Sequence, residues 1–239
     1  MKLRSCLLAG VLELAGLCWA AGAFAQVPST LPGLGDGARR ELIDVNQAPW
    51  RILARVQTEL GGRCTGFAVA PTVVMTAAHC LWLPATHHYI QPKDIHVLMG
   101  YARGGYRQHA QVRRFVIPEG YDPANEAATG SNDRATLLMD HPVAVASDLL
   151  PAVAVKDGMS AMLVGYPQDR SEVPFGDVEC NINGVTVSGL VHHDCEATKG
   201  VSGAPLLVRI SDGSWGIGGL AVGADVGPGG LAAPLVRQN

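Results

Sequence analysis

Three short stretches carry side chains of a kind that can act on a carbonyl group. In Thr198-Lys199-Gly200-Val201-Ser202-Gly203-Ala204-Pro205 a serine stands between glycines, with a proline three places on. A glycine two residues before the serine admits backbone conformations that other residues avoid. Such a turn can aim two backbone N–H groups at one point beside the hydroxyl. Two converging donors stabilise the negative oxygen of a tetrahedral acyl intermediate. In Val74-Met75-Thr76-Ala77-Ala78-His79-Cys80 an apolar run ends in two alanines, a histidine and a cysteine. The alanines let neighbours approach closely, and a disulfide at Cys80 would fix the backbone beside His79, as a general base must be fixed. In Ser131-Asn132-Asp133-Arg134-Ala135 an aspartate stands before an apolar run. A part-buried carboxylate there can accept an imidazole N–H and set its tautomer. Taken singly, each stretch also reads as something plainer: a Gly/Ser/Pro turn, a polar loop histidine, an aspartate capping a strand.

The elements that must position these residues are strands. Short apolar or alternating runs occupy residues 50–59, 64–70, 73–76, 95–99, 112–118 and 135–139, then 161–165, 184–192, 205–210 and 215–223. Gly, Pro, Asn and Asp turns separate them, which is an all-β pattern. No run keeps a helical period. The 29 glycines and the low 16% share of charged residues fit strands and turns rather than long helices. Two halves follow, residues 41–146 and 147–239, with 147–155 as the crossover. A net charge of −3 gives no electrostatic reason to expect nucleic acid or an anionic membrane as partner.

Residues 1–25 read as a signal peptide: Lys2 and Arg4, an apolar run over 7–19 broken by Glu13, and Ala23-Phe24-Ala25 before a cut at Gln26. Residues 26–40, rich in Pro and Gly, read as a leader or pro-segment. Of six cysteines, Cys6 and Cys18 fall in the signal; Cys64, Cys80, Cys180 and Cys195 remain. An even count in an exported chain suggests disulfides. Three pairings can be drawn, and the local one, Cys64 with Cys80 and Cys180 with Cys195, closes two loops of similar length. A zinc site is a poor alternative, since no close C-x-x-C pair occurs. The His87-His88 and His192-His193 pairs have no further ligand spacing near them, so no metal is expected.

Together the three stretches resemble the trypsin-like (chymotrypsin-fold) serine proteases. Thr76-Ala77-Ala78-His79-Cys80 matches the family's histidine motif residue for residue. Asp133 with Ala135 and Leu137-Leu138 looks like its aspartate motif, with Arg134 in place of the usual apolar residue. Gly200-Val201-Ser202-Gly203-Ala204-Pro205 is similar to its serine motif, and its variation resembles the bacterial glutamyl-endopeptidase (V8-like) branch. The resemblance implies two six-stranded Greek-key β-barrels packed with the active site between them. It implies a secreted or periplasmic serine endopeptidase, monomeric, acting on protein or peptide, with no cofactor and no membrane partner once the signal is removed. His79, Asp133 and Ser202 would form the triad, and the amides of Gly200 and Ser202 the oxyanion hole.

The order His79, Asp133, Ser202 speaks against the rival reading, a lipase-like α/β-hydrolase. That fold places its histidine after the serine, and no histidine follows Ser202. A protease fold that has lost activity and serves as a binding module is the other alternative. For specificity, the resemblance places the base of the S1 pocket at Glu196, next to Ala197, and a wall on Gly219-Leu220-Ala221-Val222-Gly223. An acid at 196 would favour Arg or Lys at P1. Glutamyl enzymes carry a histidine where Ala221 stands. Ser214-Trp215-Gly216 imitates the family's substrate strand but comes too early. The family's Ile-Val-Gly-Gly type start is absent near Ala48, and Arg39-Arg40 is the candidate processing site.

Overall fold

The computed structural model describes residues 31–236; the signal-peptide reading lies outside them. Strand β1 (Arg40–Leu42) comes first. Then follow β2 (Leu53–Thr58), β3 (Arg63–Ala70), β4 (Val73–Thr76), a small ribbon of β5 (Trp82–Leu83) and β6 (His88–Tyr89), β7 (Ile95–Met99), β8 (Gln108–Val116) and β9 (Ala135–Met139). The second half holds β10 (Ser160–Gly165), β11 (Phe175–Val185), β12 (Val191–His193), β13 (Pro205–Arg209), β14 (Trp215–Ala224) and β15 (Gly230–Pro234).

Strands β2-β3-β4-β9-β8-β7 close into one barrel. Its inward positions alternate along the chain, as a pleated strand requires: Ile95, Val97 and Met99 of β7 are fully buried, as are Ala135 and Leu137 of β9. The second barrel runs β11-β10-β13-β14-β15-β12 and closes through a β11–β12 pairing. Leu163, Ile182, Leu206 and Val208 fill it. Closure leaves no bare sheet edge within either barrel.

Several elements depart from the sequence pattern, among them the β5–β6 ribbon and β15, which no apolar run announced. The apolar run over 184–192 is split: 184–185 end β11, 186–190 turn, and 191–192 open β12; Gly184 (φ 105°) and Gly189 (φ 81°) take left-handed conformations there. Strand β11 itself reads Phe-Gly-Asp-Val-Glu-Cys-Asn-Ile-Asn-Gly-Val, too polar and too glycine-rich to announce a strand. Its pairing with β1, β10 and β12 supplies what propensity lacks. Strand β1 pairs with β11, Arg40 opposite Asp177 and Leu42 opposite Phe175. Residues 40–42 are therefore bonded to the second barrel before the chain enters the first. Both disulfides are local: Cys64–Cys80 and Cys180–Cys195.

Candidate active site

His79 sits in a single 3-10 turn, Ala78–Leu81, directly after β4. Asp133 ends another, Gly130–Asn132, directly before β9. Strands β4 and β9 are paired neighbours, Thr76 opposite Ala135, so both side chains leave the same end of the first barrel. Asp133 grips the histidine twice. Its Oδ1 accepts the backbone N–H of His79 at 2.9 Å, and its Oδ2 accepts the ring Nδ1–H at 2.6 Å. Asp133 is 3% exposed. Burial by itself lowers the His79 pKa, but the hydrogen bond and charge of Asp133, with a smaller pull from Glu126, leave it above its ordinary 6.5. The same carboxylate acts on Tyr89 and Tyr121, whose hydroxyls are kept protonated by burial first and by the Asp133 charge second.

The serine loop reaches this pair from the second barrel. Gly203 follows Ser202 at φ 81°, and a side chain there would lie 2.3 Å from the Thr65 carbonyl and 2.7 Å from the Ala77 amide. Only glycine lets the loop press so closely on the histidine strand. Thr65 then ties the two barrels together. Its N–H donates to the Ser202 carbonyl at 2.9 Å, and its hydroxyl donates to the Gly200 carbonyl at 2.9 Å while accepting the Tyr166 N–H at 3.0 Å. Thr65 is fully buried, and its neighbour Cys64 is bonded to Cys80, next to His79. Sequence reasoning missed Thr65; a threonine beside a cysteine carries no signal of a role that exists only between barrels. Ser202 Oγ makes no hydrogen bond to His79 or to any other described residue. Catalytic hydrogen bonds commonly tighten only once substrate is bound.

The amides of Gly200 and Ser202 are left free to donate. The Lys199 carbonyl accepts the Gln168 N–H at 2.7 Å. A trans peptide directs its N–H opposite to its carbonyl, so the Gly200 N–H faces away from Gln168. Gly200 holds φ 93°, and a Cβ there would stand 2.4 Å from the Tyr166 carbonyl. Neither the Gly200 nor the Ser202 N–H donates to any group among the described residues.

These features coincide with a match to the trypsin family model over residues 41–229. The chain belongs to the trypsin family. It is thus a serine endopeptidase by lineage. A solved Glu endopeptidase, determined in complex with MPD, superposes with a TM-score of 0.69 at 20% identity, over 85% of this chain and 94% of its own. That likeness is one of fold. No curated protein matches the chain.

Beside Ser202 lies a cavity of about 330 Å³. Ala197, Ala221 and Gly223 line it, together with Val222 and Pro32. Glu196 does not. It is 2% exposed, and its Oε1 accepts the N–H groups of Gly35 at 3.0 Å and Gly37 at 3.4 Å. The acid expected at the base of a trypsin-family pocket is turned away from it, because the N-terminal segment supplies donors on the other side. Trp215 lines a different cavity, with Pro49 and Leu150. Cys64, His79 and Cys80 place ligand-type atoms within 4.8 Å of one another. Oxidised to a disulfide, the two sulfurs have no thiolate to give a metal. His192 pairs with Asp225 at 2.9 Å, and His193 is buried with neither ring nitrogen bonded.

Proposed function

We infer that this is a secreted serine endopeptidase whose nucleophile is Ser202. The hydroxyl of Ser202 attacks a peptide carbonyl and its proton passes to Nε2 of His79. The His79 proton is then given to the departing amine, leaving an acyl-enzyme that water hydrolyses by the same route in reverse. Asp133 keeps the proton on Nδ1, so Nε2 is the free acceptor, and it stabilises the imidazolium that forms. The Gly200 and Ser202 amides receive the negative oxygen. The observation that carries this reading is the double grip of Asp133 on His79, through ring and backbone, at the edge where Thr65 holds the serine loop.

The export reading of residues 1–25 and the two disulfides favour a periplasmic or extracellular site. The substrate is a protein or peptide, and the expected working form is a monomer. A fluorophosphonate probe should label the exported chain, and Ser202→Ala should abolish labelling while retaining the fold by circular dichroism. Labelling that survives in Ser202→Ala removes Ser202 as the nucleophile. The second reading, an inactive binding module, draws on the unbonded Ser202 hydroxyl; a folded wild type that the probe never labels would favour it.

A further inference from the structure

We propose that this protease cleaves after uncharged apolar residues of moderate size, because residues 31–37 help wall its pocket and engage Glu196, the acid expected to greet a basic side chain. The inference rests on Ser202 being the nucleophile.

Residues 31–37 form a strap on the second barrel. The Gly33 N–H donates to the Asp225 carbonyl at 2.7 Å, and the Gly33 carbonyl accepts from Ala197 at 3.0 Å and Gly229 at 3.3 Å. A Cβ at Gly33 would fall 1.7 Å from the Ala197 carbonyl, so the strap lies flat on the loop between β12 and β13 that lines the pocket. Leu34 is buried behind it. Gly35 and Gly37 then place their amides on Oε1 of Glu196. Further on, Arg39 pairs with buried Asp177 at 3.4 Å and Arg40 with Asp169 at 2.9 Å. The dibasic pair read from the sequence as a processing site is thereby engaged in anchoring the same strap.

The consequence for substrate follows from the cavity's walls. Pro32, Leu163, Ala197, Val201, Ala221 and Val222 supply apolar surface, and Thr198, whose buried hydroxyl has no partner, adds a neutral polar group. Its single charged lining residue, Lys199, is exposed. Glu196 Oε2 is buried without a partner, but Glu196 is not among the residues that line the cavity. A basic P1 side chain entering this cavity would lose its water without gaining a counter-ion, which is costly, and an acidic one would meet only Lys199 at the solvent-exposed side. An apolar one gains from leaving water.

The test uses the full exported chain and a set of peptide p-nitroanilides that differ only at P1: Ala, Val, Leu, Phe, Arg, Lys and Glu. Fluorophosphonate labelling is measured first, so that a failed nucleophile is told apart from a wrong pocket. In a chain that labels, kcat/KM for Val or Leu should exceed that for Arg, Lys and Glu by at least about 100-fold. Preference for Arg or Lys would overturn the proposal and return Glu196 to the pocket; preference for Glu would overturn it in favour of Lys199. Two variants test the strap. Pro32→Gly, at an exposed position, and Gly33→Ala, which must lift the strap, should each raise the Phe-to-Val ratio of kcat/KM by about tenfold or more. A purely structural strap would lower every substrate alike and leave that ratio unmoved, which would refute its part in specificity. If Gly33→Ala does not fold, Pro32→Gly decides alone.

Discussion

Replacing Asp133 by Asn tests the geometry at its tightest point. Oδ1 of Asp133 takes the His79 backbone N–H at 2.9 Å, a bond that an asparagine oxygen keeps. The amide nitrogen must then occupy the place of Oδ2, 2.6 Å from the ring Nδ1. An NH₂ group cannot accept, so Nδ1 has to become the acceptor and the imidazole proton moves to Nε2. That tautomer cannot take the Ser202 proton. The expected loss in kcat/KM at neutral pH is about 10,000-fold, equivalent to about 5 kcal/mol of transition-state stabilisation. The acid limb should shift as well. In the wild type Asp133 holds the His79 pKa above 6.5, so activity rises with pH only above that value. Without the carboxylate, burial dominates and the limb moves below it. The assay is kcat/KM from pH 5 to 9 on one good peptide substrate, with circular dichroism to show that the variant is folded. An Asp133→Asn protein within tenfold of wild type, with its acid limb unmoved, would refute the tautomer argument.

Further expectations follow from other parts of the site. Gly200→Ala should lower kcat by about 100- to 1,000-fold through loss of an oxyanion donor, since its Cβ would meet the Tyr166 carbonyl at 2.4 Å and turn the peptide; unchanged kcat would remove Gly200 from the oxyanion hole. His193 is buried in neutral form, with its pKa held down to about 4 by burial first and the His192 charge second. The unfolded chain binds that proton from pH 6.5 downward while the folded chain does not. Stability present above 6.5 should therefore fall by roughly 3 kcal/mol as pH drops toward 4. His193→Leu should flatten the decline in urea midpoint across that window, and an equal decline in the variant would assign it elsewhere. His79 has the opposite sign: its raised pKa stabilises the fold below 6.5, and that contribution is lost as pH rises through the folded value, where activity begins. The double variant Cys64→Ser, Cys80→Ser opens a loop of 16-residue separation and should cost about 3 kcal/mol in denaturant unfolding; a cost under about 1 kcal/mol would mean the unfolded chain is not constrained by that bond.

Local pattern sufficed where the physics is local. Alternation in stretches such as residues 95–99 and 135–139 marks strands because one face of each is buried, and the structure has strands at both. His79 and Cys80 stand in one motif because the base and its anchoring sulfur are chain neighbours. The polar strand β11 was illegible because its partners, not its own residues, hold it in place. The pairing of Cys64 with Cys80 was one of three choices until the fold brought their Cα atoms to 6.3 Å.

From the sequence alone came the all-β class, the order of His79, Asp133 and Ser202, and an even set of cysteines suited to export. The tertiary structure decided where each side chain points. Thr65 became the tie between barrels, and Glu196 turned from the pocket to the amides of Gly35 and Gly37, 161 and 159 residues away along the chain. Residue type and spacing record what a side chain is able to do. Which of several donors a buried carboxylate meets depends on packing between segments that share no local pattern, and only the folded chain sets it.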